Sequence, residues 1–177
     1  MKKIIFFGCI FLFFFGMNMK VQGKEEKQVE ENIKAGIYLY EMQVNLLTDI
    51  DPMVWIEIPL ETQMDEKEQI SKTLQFLFKW SEEGDRYSCI PQGTYIIDVS
   101  LEEGDCIINL SKEILQYGGT YFEKMLSEQL LSTIFAFPQV QKMTLLIEGN
   151  HRPLTEGTEL CNLERRHWEG QNKKRRL

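Results

Sequence analysis

Residues 90–110, IPQGTYIIDVSLEEGDCIINL, admit very few ways of folding. Two strand-forming runs flank Glu103-Gly104, a pair suited to a two-residue hairpin turn because glycine accepts φ > 0. With that pair at the turn, Leu101 faces Cys106, Val99 faces Ile108 and Ile97 faces Leu110. All six are apolar and share one face, since side chains alternate along a strand. Asp98, Ser100, Glu102, Asp105, Ile107 and Asn109 share the other, mostly polar face. A slip of one residue would expose the apolar set, at roughly 1.5–3 kcal/mol for each large aliphatic side chain. The summed cost is on the order of 10 kcal/mol, comparable to the stability of a whole domain. The register is therefore well determined, yet the hairpin contains no catalytic group.

The rest of the chain supplies what such a hairpin needs to cover it. Residues 36–42, GIYLYEM, and 53–60, MVWIEIPL, read as two strands joined by a turn, with Pro59 implying an edge position or a strand end. Asp65 can cap a helix, with Glu68 three residues on as its capping-box partner. Ile70, Leu74, Leu77 and Phe78 then recur at helical spacing. Ser111 is positioned to cap a short helical turn, which Gly118-Gly119 breaks. Thr120 and Glu123 form a second capping-box pattern, followed by Phe122, Leu126, Leu130, Ile134 and Phe137 at helical spacing, with Pro138 as the stop. Residues 142–148 form a near-continuous apolar run expected of a central strand, turned by Glu148-Gly149-Asn150. The expected fold is an α/β (α+β) two-layer sandwich. A small mixed sheet carries two helices on one face, in the core order α-β-β-α-β, preceded by an N-terminal hairpin.

The two ends differ from this body. Lys2 and Lys3 precede an unbroken apolar run over residues 4–17, too short for the about 20 residues that span a bilayer. Val21 and Gly23 offer small residues at a cleavage site. Residues 1–23 thus read as an export signal, with an uncleaved anchor as the alternative, and residues 24–35 as a charged linker. Cys9 follows Gly8, but Phe6 and Phe7 stand where a lipoprotein signal wants small or aliphatic residues. Residues 36–163 form the domain and 164–177 a basic, disordered tail. Residues 41–163 carry 21 acidic and 8 basic side chains, a balance of −13, whereas residues 164–177 carry six basic and two acidic, a balance of +4. An acidic body argues against nucleic acid as a partner, because phosphate binding needs a basic face.

Groups capable of chemistry are few. No GxSxG, GxxxxGK[ST] or HExxH pattern is present. Beyond the signal the cysteines are Cys89, Cys106 and Cys161, an odd number that makes no disulfide framework, although Cys89 and Cys161 could pair. The only imidazoles are His151, after a turn, and His167, in the basic tail. The acidic loop at residues 81–85 lacks the ligand spacing of a calcium loop. Asn109-Leu110-Ser111 matches a glycosylation acceptor at a strand end. Tyr117, Tyr121 and Phe122 fit a helix staple and core better than a groove. Neither catalytic residues, a metal site nor a cofactor is expected. A hydrolase would have to use Asp85 or His151 and would need a second acid or a nucleophile beside either.

Taken in order, these residues resemble the GerMN domain of sporulation and spore-germination proteins. The resemblance rests on Pro91-x-Gly93-Thr94 leading into the strand, Gly104 at the hairpin turn and Asn109-Leu110-Ser111 leaving it. Gly118-Gly119 then precedes the second helix, Phe137-Pro138-x-Val140 ends it, and QKMTLLIEGN closes the set. It covers about residues 37–163. It implies an extracytoplasmic, membrane-proximal domain without known catalytic activity. The core order is similar to that of ring-building modules, which line up through sheet edges and helix faces. The implied partners are envelope or sporulation assembly proteins, with self-association left open. The chain departs from the founding pattern in having one copy of the domain and a poor lipoprotein signature. The alternative is a module that binds cell-wall or glycan fragments, with Trp55, Trp80 and Trp168 as stacking residues.

Overall fold

The computed structural model describes residues 35–42, 53–61, 63–80 and 84–175, all within one compact unit. The export signal, Cys9, nearly all of the charged linker and the turn at residues 48–52 lie outside the described residues. Ala35, taken as the end of that linker, belongs to the domain: it is buried, and its carbonyl accepts the Ile58 N–H at 3.0 Å.

The chain runs β1 (Gly36–Glu41), β2 (Met53–Glu57), α1 (Glu66–Phe78), β3 (Arg86–Tyr87), β4 (Ile96–Glu102) and β5 (Asp105–Leu110). A 3-10 turn (Lys112–Leu115), α2 (Thr120–Ile134), β6 (Lys142–Ile147), β7 (Leu163–Glu164) and α3 (Arg165–Arg175) follow. The expected α-β-β-α-β core is α1, β4, β5, α2 and β6, preceded by the β1–β2 hairpin. The main sheet has the order β4-β5-β6-β7, with β5 and β6 parallel and the other pairs antiparallel. The N-terminal hairpin does not join it. It forms a separate sheet, β2-β1-β3, in which Tyr40 stacks on Tyr87 and Glu41 meets Arg86 at 3.3 Å. A two-residue strand such as β3 has no periodicity by which a sequence could announce it.

The hairpin register holds from the turn outward: Leu101 opposes Cys106 and Val99 opposes Ile108. Glu103 and Gly104 both take positive φ, 50° and 87°, as a type I′ turn demands. At the far end the expected pairing of Ile97 with Leu110 is replaced by Ile96 with Leu110, and Ile97 bulges out to 43% exposure. The reason lies in two fixed points. The Ser111 N–H donates to the Tyr95 carbonyl at 3.0 Å, and the Tyr95 N–H donates to Ser111 Oγ at 3.1 Å. That anchor and the turn differ in register by one residue, so Ile97 is left without a partner. Upstream, the Pro91-x-Gly93-Thr94 turn is closed by Thr94 Oγ1 donating to the Pro91 carbonyl at 2.7 Å, with Gly93 at φ 87°.

Helix α1 begins as its sequence indicates. Asp65 accepts the Glu68 N–H at 2.8 Å and Glu68 accepts the Asp65 N–H at 3.3 Å, while Ile70, Leu74 and Leu77 are fully buried. The second capping box does not form. Gly119, at φ 93°, is the N-cap of α2, Thr120 is already helical, and the Glu123 side chain turns to other partners. The stripe Leu126, Leu130 and Ile134 is fully buried as expected. A second stripe on the same helix meets β1. Thr133 Oγ1 accepts the Tyr38 N–H at 3.2 Å, Gln129 Nε2 donates to the Tyr38 carbonyl at 2.9 Å, and the Tyr40 hydroxyl donates to the Met125 carbonyl at 3.2 Å. Gln129 Oε1 also accepts the Cys89 N–H at 2.7 Å. Buried polar groups must be paired, and α2 can hold so many because β1 and the 88–89 segment bring their backbone to it.

The segment expected as a disordered tail carries α3, and its first residue is part of the fold. Arg165 lays its guanidinium 5.4 Å over the Phe135 ring. It donates to the carbonyls of Phe135 at 2.6 Å, Val140 at 2.8 Å and Phe137. These carbonyls end α2 and form the Phe137-Pro138-Gln139-Val140 turn, where unsatisfied acceptors and the negative end of the helix dipole favour a cation.

Candidate functional site

Three places combine exposure or buried charge with residues that could act on something else. The first is β2, an edge strand whose only strand neighbour among the described residues is β1. Val54 and Ile56 are half-buried against the core, and Trp55 is 37% exposed with its ring T-shaped on Tyr38 at 5.0 Å. Gly36, which pairs with Glu57 and lies diagonal to Trp55, leaves room for that ring, since a Cβ there would collide with it. Trp80 and Trp168 pack half-buried against the core, so the three tryptophans do not offer three exposed faces.

The second is Glu123, a carboxylate that is 1% exposed. It accepts the Tyr117 hydroxyl at 2.5 Å, the Glu156 N–H at 2.5 Å and the Thr158 N–H at 2.8 Å. Burial alone would raise its pKa. The donors from Thr158, Tyr117 and the Glu156 backbone outweigh it and hold the carboxyl below the ordinary value. Burial and the bond to Glu123 push the Tyr117 phenol up to about 12. The Tyr117 oxygen also accepts the Thr155 N–H at 3.1 Å, and Glu156 Oε1 accepts the Gly119 N–H at 2.8 Å. The network straps the 154–158 loop across the start of α2. Every lone pair it uses is spent on the protein itself, which makes it a fold element rather than a reaction centre. Tyr117 stacks on Phe122 at 5.4 Å, consistent with a staple and core, while Tyr121 is exposed.

The third is the pair His151 and Cys161. After the Glu148-Gly149 turn the chain leaves and returns, and the Leu145 N–H donates to the Leu160 carbonyl at 2.7 Å. That return sets Cys161 Sγ 3.6 Å from His151 Nδ1, in a depression of about 140 Å³ that Arg152, Pro153 and Glu159 also line. Ten residues separate the two and no spacing rule joins them. The one signal in the sequence is the glycine turn that lets the strand double back. Asp85 is exposed in the turn before β3, with its carbonyl accepting the Met42 N–H at 2.8 Å. His167 lies 3.8 Å from Glu164.

Among the described residues the cysteines Cys89, Cys106 and Cys161 are all free, so Cys89 and Cys161 do not pair. Burial pushes the Cys106 thiol up to about 12. Among the described residues no three of His, Cys, Asp and Glu are grouped to hold a metal ion, and no helix is long and apolar enough to cross a membrane. Asn109 is engaged through its side chain: Oδ1 accepts the Gly149 N–H at 2.8 Å. Its place in a glycosylation pattern is thus matched by a structural role at the Gly149 turn.

A mixed sheet covered by two helices, with an appended hairpin sheet and polar networks directed inward, defines a small α/β domain. The chain belongs to the Germane family, described as sporulation and spore germination, whose model matches residues 39–153. Among solved structures it is similar to the first GerMN domain of the sporulation protein GerM from Bacillus subtilis, with TM-score 0.59 and 19% identity over 76% of this chain and 98% of that one. The tandem GerMN domains of the same protein match equally, but there the chain spans 47% of the length. A lipoprotein candidate from Clostridium perfringens matches at TM-score 0.52 and 18% identity, over 76% of this chain and 88% of that one. No curated protein matches.

Proposed function

We propose that this chain is an exported, non-enzymatic module of the cell envelope that acts through protein–protein contacts in spore formation or germination. Its family supports the setting. The observation that carries the mode of action is β2, an edge strand that has β1 as its only strand neighbour among the described residues and presents Trp55. An apolar edge is a liability in a monomer and a contact surface in an assembly. Two buried networks commit the Glu123 and Gln129 side chains to the fold. Trp80 and Trp168 give their rings to the core, which removes support from a glycan-stacking surface.

A photo-crosslinking residue placed at Trp55, in cells entering sporulation and in growing cells, tests the reading. Discrete protein adducts in sporulating cells, lost when Glu57 is replaced by Pro on the same edge, are the expected result. Absence of adducts in both states, or hydrolysis of wall fragments by the purified protein, would overturn it. The position is chosen because Ile56 faces the fully buried Ile37, so a charge there would unfold the sheet as well as block it.

A further inference from the structure

Cys161 differs from Cys89 and Cys106 in its exposure and in the groups beside it. Cys89 and Cys106 are sealed in the core, whereas Cys161 opens onto the surface depression after β6. Its sulfur has His151 Nδ1 at 3.6 Å on one side and accepts from Asn162 Nδ2 at 3.3 Å on the other. Both neighbours are held by backbone. Asn162 sits at φ 52°, a conformation few non-glycine residues adopt, and its N–H donates to Thr144 Oγ1 at 3.0 Å. His151 follows Asn150, whose carbonyl accepts the Ile147 N–H at 3.0 Å. A thiol is nucleophilic as thiolate, and a neutral imidazole in contact with it is a group that can take the proton. Arg152 and Glu159 line the same depression and supply one cation and one anion beside the pair.

The geometry points to a thiol–disulfide exchange site at Cys161, served by His151, for small disulfides of the amino-acid class. A zwitterionic ligand such as cystine fits the charges: its carboxylate suits the Arg152 guanidinium and its ammonium suits Glu159. In the step, His151 Nδ1 accepts the Cys161 proton and Sγ attacks one ligand sulfur. The ligand S–S bond breaks as the new one forms. The electron pair of the broken bond leaves on the second ligand sulfur, which takes the proton back from His151. One disulfide replaces another, so no further oxidant is required. The product is a chain carrying half of the ligand on Cys161, and a free small thiol.

The test is incubation of the purified protein with cystine near neutral pH, followed by intact mass and peptide mapping. One half-cystine adduct on Cys161, formed roughly tenfold faster than on a simple thiol at the same pH, is the expected result. His151→Gln should slow the reaction roughly tenfold with an unchanged melting temperature, because the ring is exposed. Arg152→Ala should slow cystine but leave the uncharged hydroxyethyl disulfide unaffected, which separates the ligand class from the reactivity of the thiol. A wild-type rate no faster than a simple thiol's, an adduct placed on Cys89 or Cys106, or a His151→Gln rate equal to wild type would each overturn the assignment.

Discussion

The Tyr117 hydroxyl donates to the Glu123 carboxylate at 2.5 Å, and through this contact the 3-10 turn, the start of α2 and the 154–158 loop become one unit. The contact also explains why Thr120 and Glu123 do not form a cap: the carboxylate has stronger partners than its own helix N-terminus.

The unit should be pH-sensitive. The folded state holds Glu123 ionised more firmly than the unfolded chain does. Its contribution is therefore complete above the unfolded carboxylate value of about 4.3 and is lost as pH falls through the lower folded value. Glu123→Gln should cost about 1–3 kcal/mol at pH 7 and flatten the acid limb of the stability curve. Denaturant unfolding at pH 7 and near pH 3, with proteolysis at the 154–158 loop, checks this; equal acid sensitivity in the variant would show that Glu123 is not the titrating group.

Val99→Asp should be severely destabilising, by about 3 kcal/mol or more, because it places a charge without a partner in the core face of β4. Ser100→Asp, one residue on and on the other face, should cost under about 1 kcal/mol. Urea midpoints of the two variants give the comparison, and similar shifts would refute the face assignment.

Gln129→Leu keeps the volume but removes the partner of the Cys89 N–H and the Tyr38 carbonyl. Losing the two bonds should cost about 2–5 kcal/mol. Hydrogen exchange at the Cys89 amide should rise with it; continued protection there would mean that the Gln129 bond is not what holds the segment.

The basic C-terminal segment should divide sharply at its start. Arg165→Met loses the fork onto Phe135, Phe137 and Val140 and should cost about 1–3 kcal/mol. Arg166→Met, at an exposed side chain paired with Glu164, should lie within about 0.5 kcal/mol of the parent. Thermal melts of the two variants at moderate salt are sufficient, and a neutral Arg165→Met would return the segment to the role of a solvated tail.

Much of the fold was legible in the chain because burial leaves a period. The stripes of α1 and α2, the run of β6 and the Leu101–Cys106 and Val99–Ile108 pairs follow from spacing alone, and so does the working Asp65–Glu68 cap. The Ile97 pairing failed because a bulge depends on a second anchor, Ser111 on Tyr95, that spacing does not reveal. The sheet of β1, β2 and β3 is not legible as a separate sheet because β3 is two residues long.

What the sequence determined by itself is therefore the set of apolar faces and the turns between them, since these depend on residues close together in the chain. Tertiary structure decided where the polar groups found their partners. Glu123 could bond its own helix or a loop more than thirty residues away, and the loop's amides won. Arg165 could remain solvated or satisfy the end of α2, and the fold brought three carbonyls within its reach. His151 and Cys161 became a pair only when the chain folded back along β6 and set Leu160 against Leu145. A polar bond is a matter of an ångström and an angle, and those exist only once the apolar faces have closed.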